Sequence, residues 1–241
     1  MTKVSKWKAL FGPITPDIYA RNDILAGIGI TSFAMMGIFV ASIILGLVEI
    51  TNVGFHPSTF AYYTGLTLLS SGYEELVFRC ILLFILVKVF RKPWFAILIT
   101  SIYFGYVHLN NDHATVLSAF SNGLGGVMYG LAFIYTRKIW LPWALHFAWN
   151  YVQAPILGFP LSGFKVEGIL KLKLLDDSWL SGGLYGPEGG IVGIAFRFIV
   201  ITLIVLWIRK SRGGLKYNFN QSYNLQANFK ESHYISRNNQ V

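Results

Sequence analysis

Ser71-Gly-Tyr-Glu-Glu-Leu-Val-Phe-Arg79 decides the fold, because it places two acids and an arginine inside an apolar run from Phe60 to Phe90. An ionised side chain at the centre of a bilayer costs at least ~2.5–3.5 kcal/mol unless it is paired or hydrated. Glu75 and Arg79 are four residues apart, in the order that favours an ion pair on one helix face. Glu74 points about 100° away around the helix and lacks that partner. The stretch predicts a transmembrane helix with one ion pair and one carboxylate left for chemistry.

The composition of the chain is that of a multi-pass membrane protein. Of its 241 residues, 54% are hydrophobic and only 13% are charged, an apolar excess that is unusual in soluble domains. The single cysteine, Cys80, excludes an intramolecular disulfide. We find no cleavable signal peptide, because the first apolar run starts after Asp23 and is too long for a signal core. We therefore expect an all-α, polytopic bundle of membrane helices.

Six apolar runs are candidates for membrane spans by length and hydropathy. They cover residues 24–48, 59–87, 94–109, 114–136, 139–157 and 191–208. With both ends inside, this assignment puts fifteen of the twenty Lys and Arg residues in cytoplasmic segments and three outside. That asymmetry follows the positive-inside rule. Orientation thus accounts for the net charge of +9, and we expect no nucleic-acid binding.

The chain is expected to form one integral-membrane domain over residues 1–215, which begins with a cytoplasmic interfacial segment up to Asn22. Residues 216–241 are rich in Asn, Ser, Gln and Lys, and predict a flexible polar tail. The connection 158–190 is the one long outer loop. Its length and its aromatic residues predict packed or re-entrant structure there.

Two further places put polar side chains into the apolar runs. The third run ends with Phe104-Gly-Tyr-Val-His108, and the fifth contains His146-Phe-Ala-Trp-Asn150. His146 and Asn150 share a helix face, because residues four apart lie one above the other. A rise of ~1.5 Å per residue puts Glu74, His108 and Asn150 at a similar depth, about 20 Å from the cytoplasmic ends. The sequence therefore predicts one polar site built from three helices.

The residue types of this site suit the activation of water. A carboxylate and histidines can act as general bases or hold Zn²⁺, and Asn and His can donate hydrogen bonds to an oxyanion. The chain has no His-Glu-x-x-His motif and no serine-centred elbow, and Cys80 has no evident paired base. A proton-relaying transporter is another interpretation, but the chain shows no paired broken helices or inverted repeats.

The motifs Glu74-Glu75-x-x-x-Arg79, Phe104-x-x-x-His108 and His146-x-x-x-Asn150 resemble, in this order, the three motifs of the CPBP intramembrane protease family. That family comprises the CAAX prenyl endopeptidases of the second type and bacterial bacteriocin-processing or self-immunity proteins. The resemblance covers about residues 60–150. The later stretch 179–190 also looks like one found in bacterial members.

This resemblance implies an all-helical intramembrane endopeptidase of the bacterial plasma membrane. The residues carried over as catalytic are Glu74, Glu75, Arg79, His108, His146 and Asn150. By position, Glu74 and His108 would activate water, while His146 and Asn150 would support the oxyanion or join a metal site. The sequence leaves open whether the carboxylate acts alone or whether a metalloprotease site of Glu74, His108 and His146 holds Zn²⁺.

The resemblance also implies a substrate in or on the lipid bilayer, which would be a membrane-embedded or lipidated peptide or protein. A CAAX-type protein, a leader or a bacteriocin would each fit. The alternative is a non-catalytic bacteriocin-immunity or scaffold protein that binds a partner with the same helices.

Arg197, centred in the sixth run, belongs to none of these motifs. Its side chain can snorkel to the interface, line a hydrated cavity, or meet Glu188 of the outer connection. The sequence leaves these three alternatives open.

Overall fold

Seven α-helices carry the structure of residues 12–215, the part of the chain that the computed structural model describes. They are α1 (Ala20–Ile44), α2 (Pro57–Glu75), α3 (Phe84–Phe90), α4 (Pro93–Val107), α5 (Val116–Thr136), α6 (Trp140–Tyr151) and α7 (Ile191–Arg212). The π-helical segment Leu76–Leu83 joins α2 to α3, and the π-helical segment Val152–Ile156 extends α6. Short 3₁₀ turns lie at His108–Asn110, Gly183–Tyr185 and Pro187–Gly189. Each of the six apolar runs is mainly helical.

Three of the described helices, α1, α5 and α7, are long and apolar enough to cross a membrane. Their mean hydropathies are 2.1, 1.3 and 2.7. Large apolar side chains on the outside of the bundle are exposed, among them Ile44 at 78% and Val116 at 84%. Such a surface suits lipid tails and not water. The fold is that of an integral membrane protein, while the full count of six crossings stays a prediction.

The central helix is α5, which packs against α4, α6 and α7. Two glycines four residues apart make its contact with α4 close, as small residues do between membrane helices. A Cβ atom on Gly126 would lie 2.8 Å from the Cα atom of Ser101, and one on Gly130 would lie 3.2 Å from the side chain of Ile97. The helix α6 packs against α1, α2 and α5. The three motif segments are thereby brought together.

The start of α1 and the end of α7 lie on the same side of the bundle. Asp23 and Arg212 form an ion pair at 2.5 Å, and Nε1 of Trp207 donates to the same carboxylate at 3.1 Å. Residues 12–15 join this side, because Nζ of Lys138 donates to the carbonyl of Gly12 at 2.7 Å. The cytoplasmic location of this side stays a prediction. The polar tail, residues 216–241, and the first half of the N-terminal interfacial segment, residues 1–11, lie outside the described residues.

A two-stranded antiparallel sheet lies at the opposite end of the bundle. Its strands are β1 (Val48–Val53), which follows α1, and β2 (Leu170–Leu174), which lies in the long connection between α6 and α7. The all-α fold that the sequence predicts does not include this sheet. The sheet ties the α1–α2 connection to the connection between α6 and α7.

Candidate active site

Glu75 is fully buried between two partners. Its Oε2 atom is 3.1 Å from Nε of Arg79, which is the ion pair expected from the sequence. Its Oε1 atom accepts a hydrogen bond from Nδ1 of His146 at 2.8 Å. The guanidinium of Arg79 also lies over the ring of Phe104, 4.8 Å from the centroid, within the range of a cation–π contact. Glu75 therefore links α2 to α6 at the level of the motifs.

The helix changes form directly after Glu75. Leu76–Leu83 is π-helical, with Arg79 and Cys80 inside it. Short π-helical stretches are rare and occur frequently at functional sites. Cys80 is free and buried, and it does not line the cavity described below.

His146 is held by contacts on different sides of its ring. A carboxylate can only accept, so Nδ1 carries the hydrogen that is shared with Glu75. The ring stacks on Tyr129 of α5 with a centroid distance of 4.6 Å and an angle of 13°. Its Nε2 atom lies 4.0 Å from Oε2 of Glu74. Nε2 is an acceptor in the neutral ring, whereas in the protonated ring it becomes a donor with Glu75 as counter-ion.

His108 follows the last residue of α4. Its Nδ1 atom is 2.7 Å from the carbonyl oxygen of Phe104. Because a carbonyl only accepts, Nδ1 carries the hydrogen, and Nε2 of the neutral ring is left as an acceptor. This tautomer suits a group that receives a proton.

One cavity of about 660 Å³ brings the motif residues together. Glu74, His108, His146 and Asn150 all line it. Glu75 and Arg79 are not among the described residues that line it, and they lie behind His146 and Glu74. The side chain of Glu74 is 28% exposed and that of Glu75 is 0% exposed. The structure thus separates the two adjacent acids as the helix geometry predicts.

The remaining cavity lining combines apolar and polar groups. Aromatic and aliphatic residues form part of it, and the exposed ones, Tyr62, Leu66 and Phe164, mark its rim. Polar side chains from outside the three motifs form another part, among them Asn122, Ser162, Glu188 and Arg197. Arg197 both lines the cavity and meets Glu188, with its Nη2 atom 3.9 Å from Oε2.

Asn122 and Ser162 were not among the site residues expected from the sequence. The only signal for Asn122 is an amide inside the apolar run of α5, and Ser162 carries no signal of its own.

The described residues do not form a metal site of the expected kind. Within 12–215, no group of three or more His, Cys, Asp and Glu side chains is placed to hold a metal ion. Zinc in proteins generally has three or four protein ligands at ~2.0–2.3 Å. Nε2 of His146 lies 4.0 Å from Oε2 of Glu74, and the bond from Nδ1 to Glu75 leaves Nε2 as the available ligand atom. Glu74, His108 and His146 are not assembled as a group of three ligands in this arrangement, and the Zn²⁺ expectation stays an untested prediction.

A membrane-helix bundle that gathers a carboxylate, two histidines and an amide around one cavity has the groups of a hydrolytic site. Residues 56–152 match the family model of the type II CAAX prenyl endopeptidase Rce1-like domain. The match spans somewhat less than half of the chain, includes all three motifs, and confirms the family resemblance drawn from them. No curated protein and no solved structure shows significant similarity to the chain.

Proposed function

We propose that this protein is an intramembrane endopeptidase that hydrolyses peptide bonds in membrane-associated proteins or peptides. The main support is the convergence of Glu74, His108, His146 and Asn150, from three separate segments, on one cavity. The match of residues 56–152 to a protease family supports the same reaction class.

Glu74 is the proposed general base. Its Oε2 atom has no hydrogen-bond partner among the described residues, so it is available to take a proton from a water molecule. The water oxygen then adds to the carbonyl carbon of the scissile peptide bond. Nε2 of His108, the acceptor left by the bond to Phe104, assists by orienting or deprotonating the same water.

Asn150 and His146 are the proposed donors to the oxyanion that forms when water adds. Asn150 offers its side-chain N–H group, and His146 offers Nε2–H in its protonated form. Glu75 stabilises that imidazolium and Arg79 holds Glu75 in place. When the C–N bond breaks, the proton taken by Glu74 passes to the leaving amine, which balances the reaction.

The proposed substrate class follows from the lining of the cavity. Aromatic and aliphatic residues such as Tyr63 and Leu66 favour apolar side chains or a lipid group beside the scissile bond. The matching family is named for CAAX prenyl endopeptidases, and for this chain we propose only a membrane-embedded or lipidated peptide.

Glu74→Gln tests the reaction directly. In liposomes that contain a panel of lipidated and transmembrane peptides, it should abolish cleavage while the yield of folded protein stays normal. Asn150→Ala should cost about 10²–10³-fold in kcat, the loss typical of one oxyanion donor. Glu49→Gln, which changes an exposed acid on β1, is the matched control and should cleave normally.

Two results would contradict this scheme. Cleavage by Glu74→Gln would remove the carboxylate as the base, and toxin immunity retained by that variant would favour the non-catalytic alternative. We also expect cleavage to persist in a chelator, because no step of the scheme uses a metal. Loss of activity that Zn²⁺ restores would require a metal-bound form of the site.

A further inference from the structure

Glu188 is a buried acid that the proposed reaction does not use. It lies in the 3₁₀ turn Pro187–Gly189 of the outer connection. Its Oε1 atom accepts a hydrogen bond from the hydroxyl of Ser162, and its Oε2 atom accepts one from Nε1 of Trp149 at 3.2 Å. Nη2 of Arg197 is 3.9 Å from Oε2. Charge-assisted contacts of this kind fix a carboxylate in one orientation.

Arg197 reaches the same cluster from α7. Its Nε atom donates to Oγ of Ser121 at 3.0 Å, and its Nη2 atom donates to Oδ1 of Asn122 at 3.3 Å. Its guanidinium lies over the ring of Trp149, 4.5 Å from the centroid. A side chain on Gly125 would overlap this guanidinium, so glycine is needed there for the close approach. Arg197 therefore joins α5 and α7 to Trp149.

Trp149 connects this cluster to the hydrolytic site. It precedes Asn150 and lies nearly one helical turn after His146 on α6. Its ring is held by Arg197 and its N–H group by Glu188. The helix loses its α-form soon afterwards, at Val152. Contacts from outside α6 therefore hold the side chain of Trp149, which lies between His146 and Asn150 in the helix.

We propose that Glu188 and Arg197 are positioning residues, which hold Trp149 and thereby orient His146 and Asn150 toward the cavity. Stability alone does not explain the pair, because a buried ion pair is often no more stabilising than apolar residues of the same volume. The kinetic part of this inference rests on the proposed peptidase function.

Trp149→Phe is the sharpest test, because it removes the N–H link to Glu188 and keeps an aromatic ring beside Arg197. We expect kcat to fall by up to ~10²-fold with little change in KM, the effect of a misplaced catalytic group. Glu188→Gln should act in the same direction. The double variant should be little worse than the worse single variant, because Glu188→Gln removes the charge from the acceptor of the Trp149 N–H group and so weakens the same link that Trp149→Phe removes.

Trp207→Phe is the matched control. It also removes one tryptophan N–H bond, here the bond to Asp23 on the opposite side of the bundle. It should leave kcat unchanged.

A second measurement does not depend on turnover. The Nδ1 proton that His146 shares with Glu75 can be observed by NMR of protein labelled with ¹⁵N-histidine in micelles. The chain has five histidines, and the loss of one signal in His146→Gln assigns it. In Trp149→Phe and Glu188→Gln this proton should shift or exchange faster, whereas in Trp207→Phe it should not.

The proposal is overturned if Trp149→Phe and Glu188→Gln match the control in both kcat and the His146 signal. A raised KM with unchanged kcat also overturns it, since the pair would then bind substrate and not position the site. If the wild type cleaves nothing, the peptidase proposal fails by itself, and the His146 signal still decides whether the positioning exists.

Discussion

Replacing Arg79 with alanine should leave Glu75 as an unpaired charge in the protein interior. Neither side chain is appreciably exposed, so water cannot replace the guanidinium. Glu75 would keep its hydrogen bond to His146 and lose the cation 3.1 Å from its other oxygen. The substitution would also remove the cation–π contacts of Arg79 with Phe104 and Tyr129.

The expected loss of stability is a large fraction of the total free energy of unfolding of a folded protein. Breaking a buried ion pair from one side costs about 3–5 kcal/mol. The lost cation–π contacts add about 1 kcal/mol or more. Since folded proteins have about 5–15 kcal/mol in total, we expect Arg79→Ala to reduce the folded yield as well as the activity.

The assay is the yield of monodisperse protein in detergent, followed by thermal unfolding. Arg209→Ala, at the exposed end of α7, is the matched control and should stay within about 0.5 kcal/mol of the wild type. Arg79→Met combined with Glu75→Gln removes both charges and should recover stability relative to Arg79→Ala, although not activity. If the Arg79→Ala variant has the same folded yield and unfolding temperature as the Arg209→Ala control, the reasoning is refuted.

Two further predictions concern topology and packing. Lys173→Cys, on the exposed face of β2, should react with an impermeant thiol reagent in intact cells, because β2 belongs to the predicted outer side. The native Cys80 is buried and should give little background reaction. Reaction only after lysis would mean that the orientation in the membrane is the reverse of the predicted one. Gly105→Ala should destabilise the bundle, because its Cβ would overlap the backbone carbonyl of Ala119, whereas Gly29→Ala has open space and should be neutral or slightly stabilising. Equal unfolding temperatures for these two alanine variants would contradict the packing of α4 on α5.

The sequence predicts the helices well because each apolar run is long and is bounded by charges or turn residues. The pairing of Glu75 with Arg79 can also be predicted from the sequence, since a spacing of four residues fixes the relative position of two side chains on a helix. The placement of Glu74 in the cavity follows from the same geometry.

Contacts between distant segments could not be predicted in this way. Glu75 and His146 are 71 residues apart, and their hydrogen bond depends on how α2 packs against α6. The π-helical form of Leu76–Leu83 has no local signal among ordinary apolar residues. The strands β1 and β2 are short and far apart in the chain, so only the completed bundle brings them together.

The sheet has a mechanical consequence for the cavity. At its end the amide of Gly54 donates to the carbonyl of Ile169 at 2.9 Å, next to the pair Val53 and Leu170. Tyr62, in the helix α2 that follows β1, lies on one side of the rim, and Phe164, in the segment before β2, lies on the other. The paired strands therefore hold the two sides of the rim together at the edge next to the sheet. Because the strands restrain the near edge, we expect any widening of the cavity mouth to be greatest at the edge farthest from the sheet.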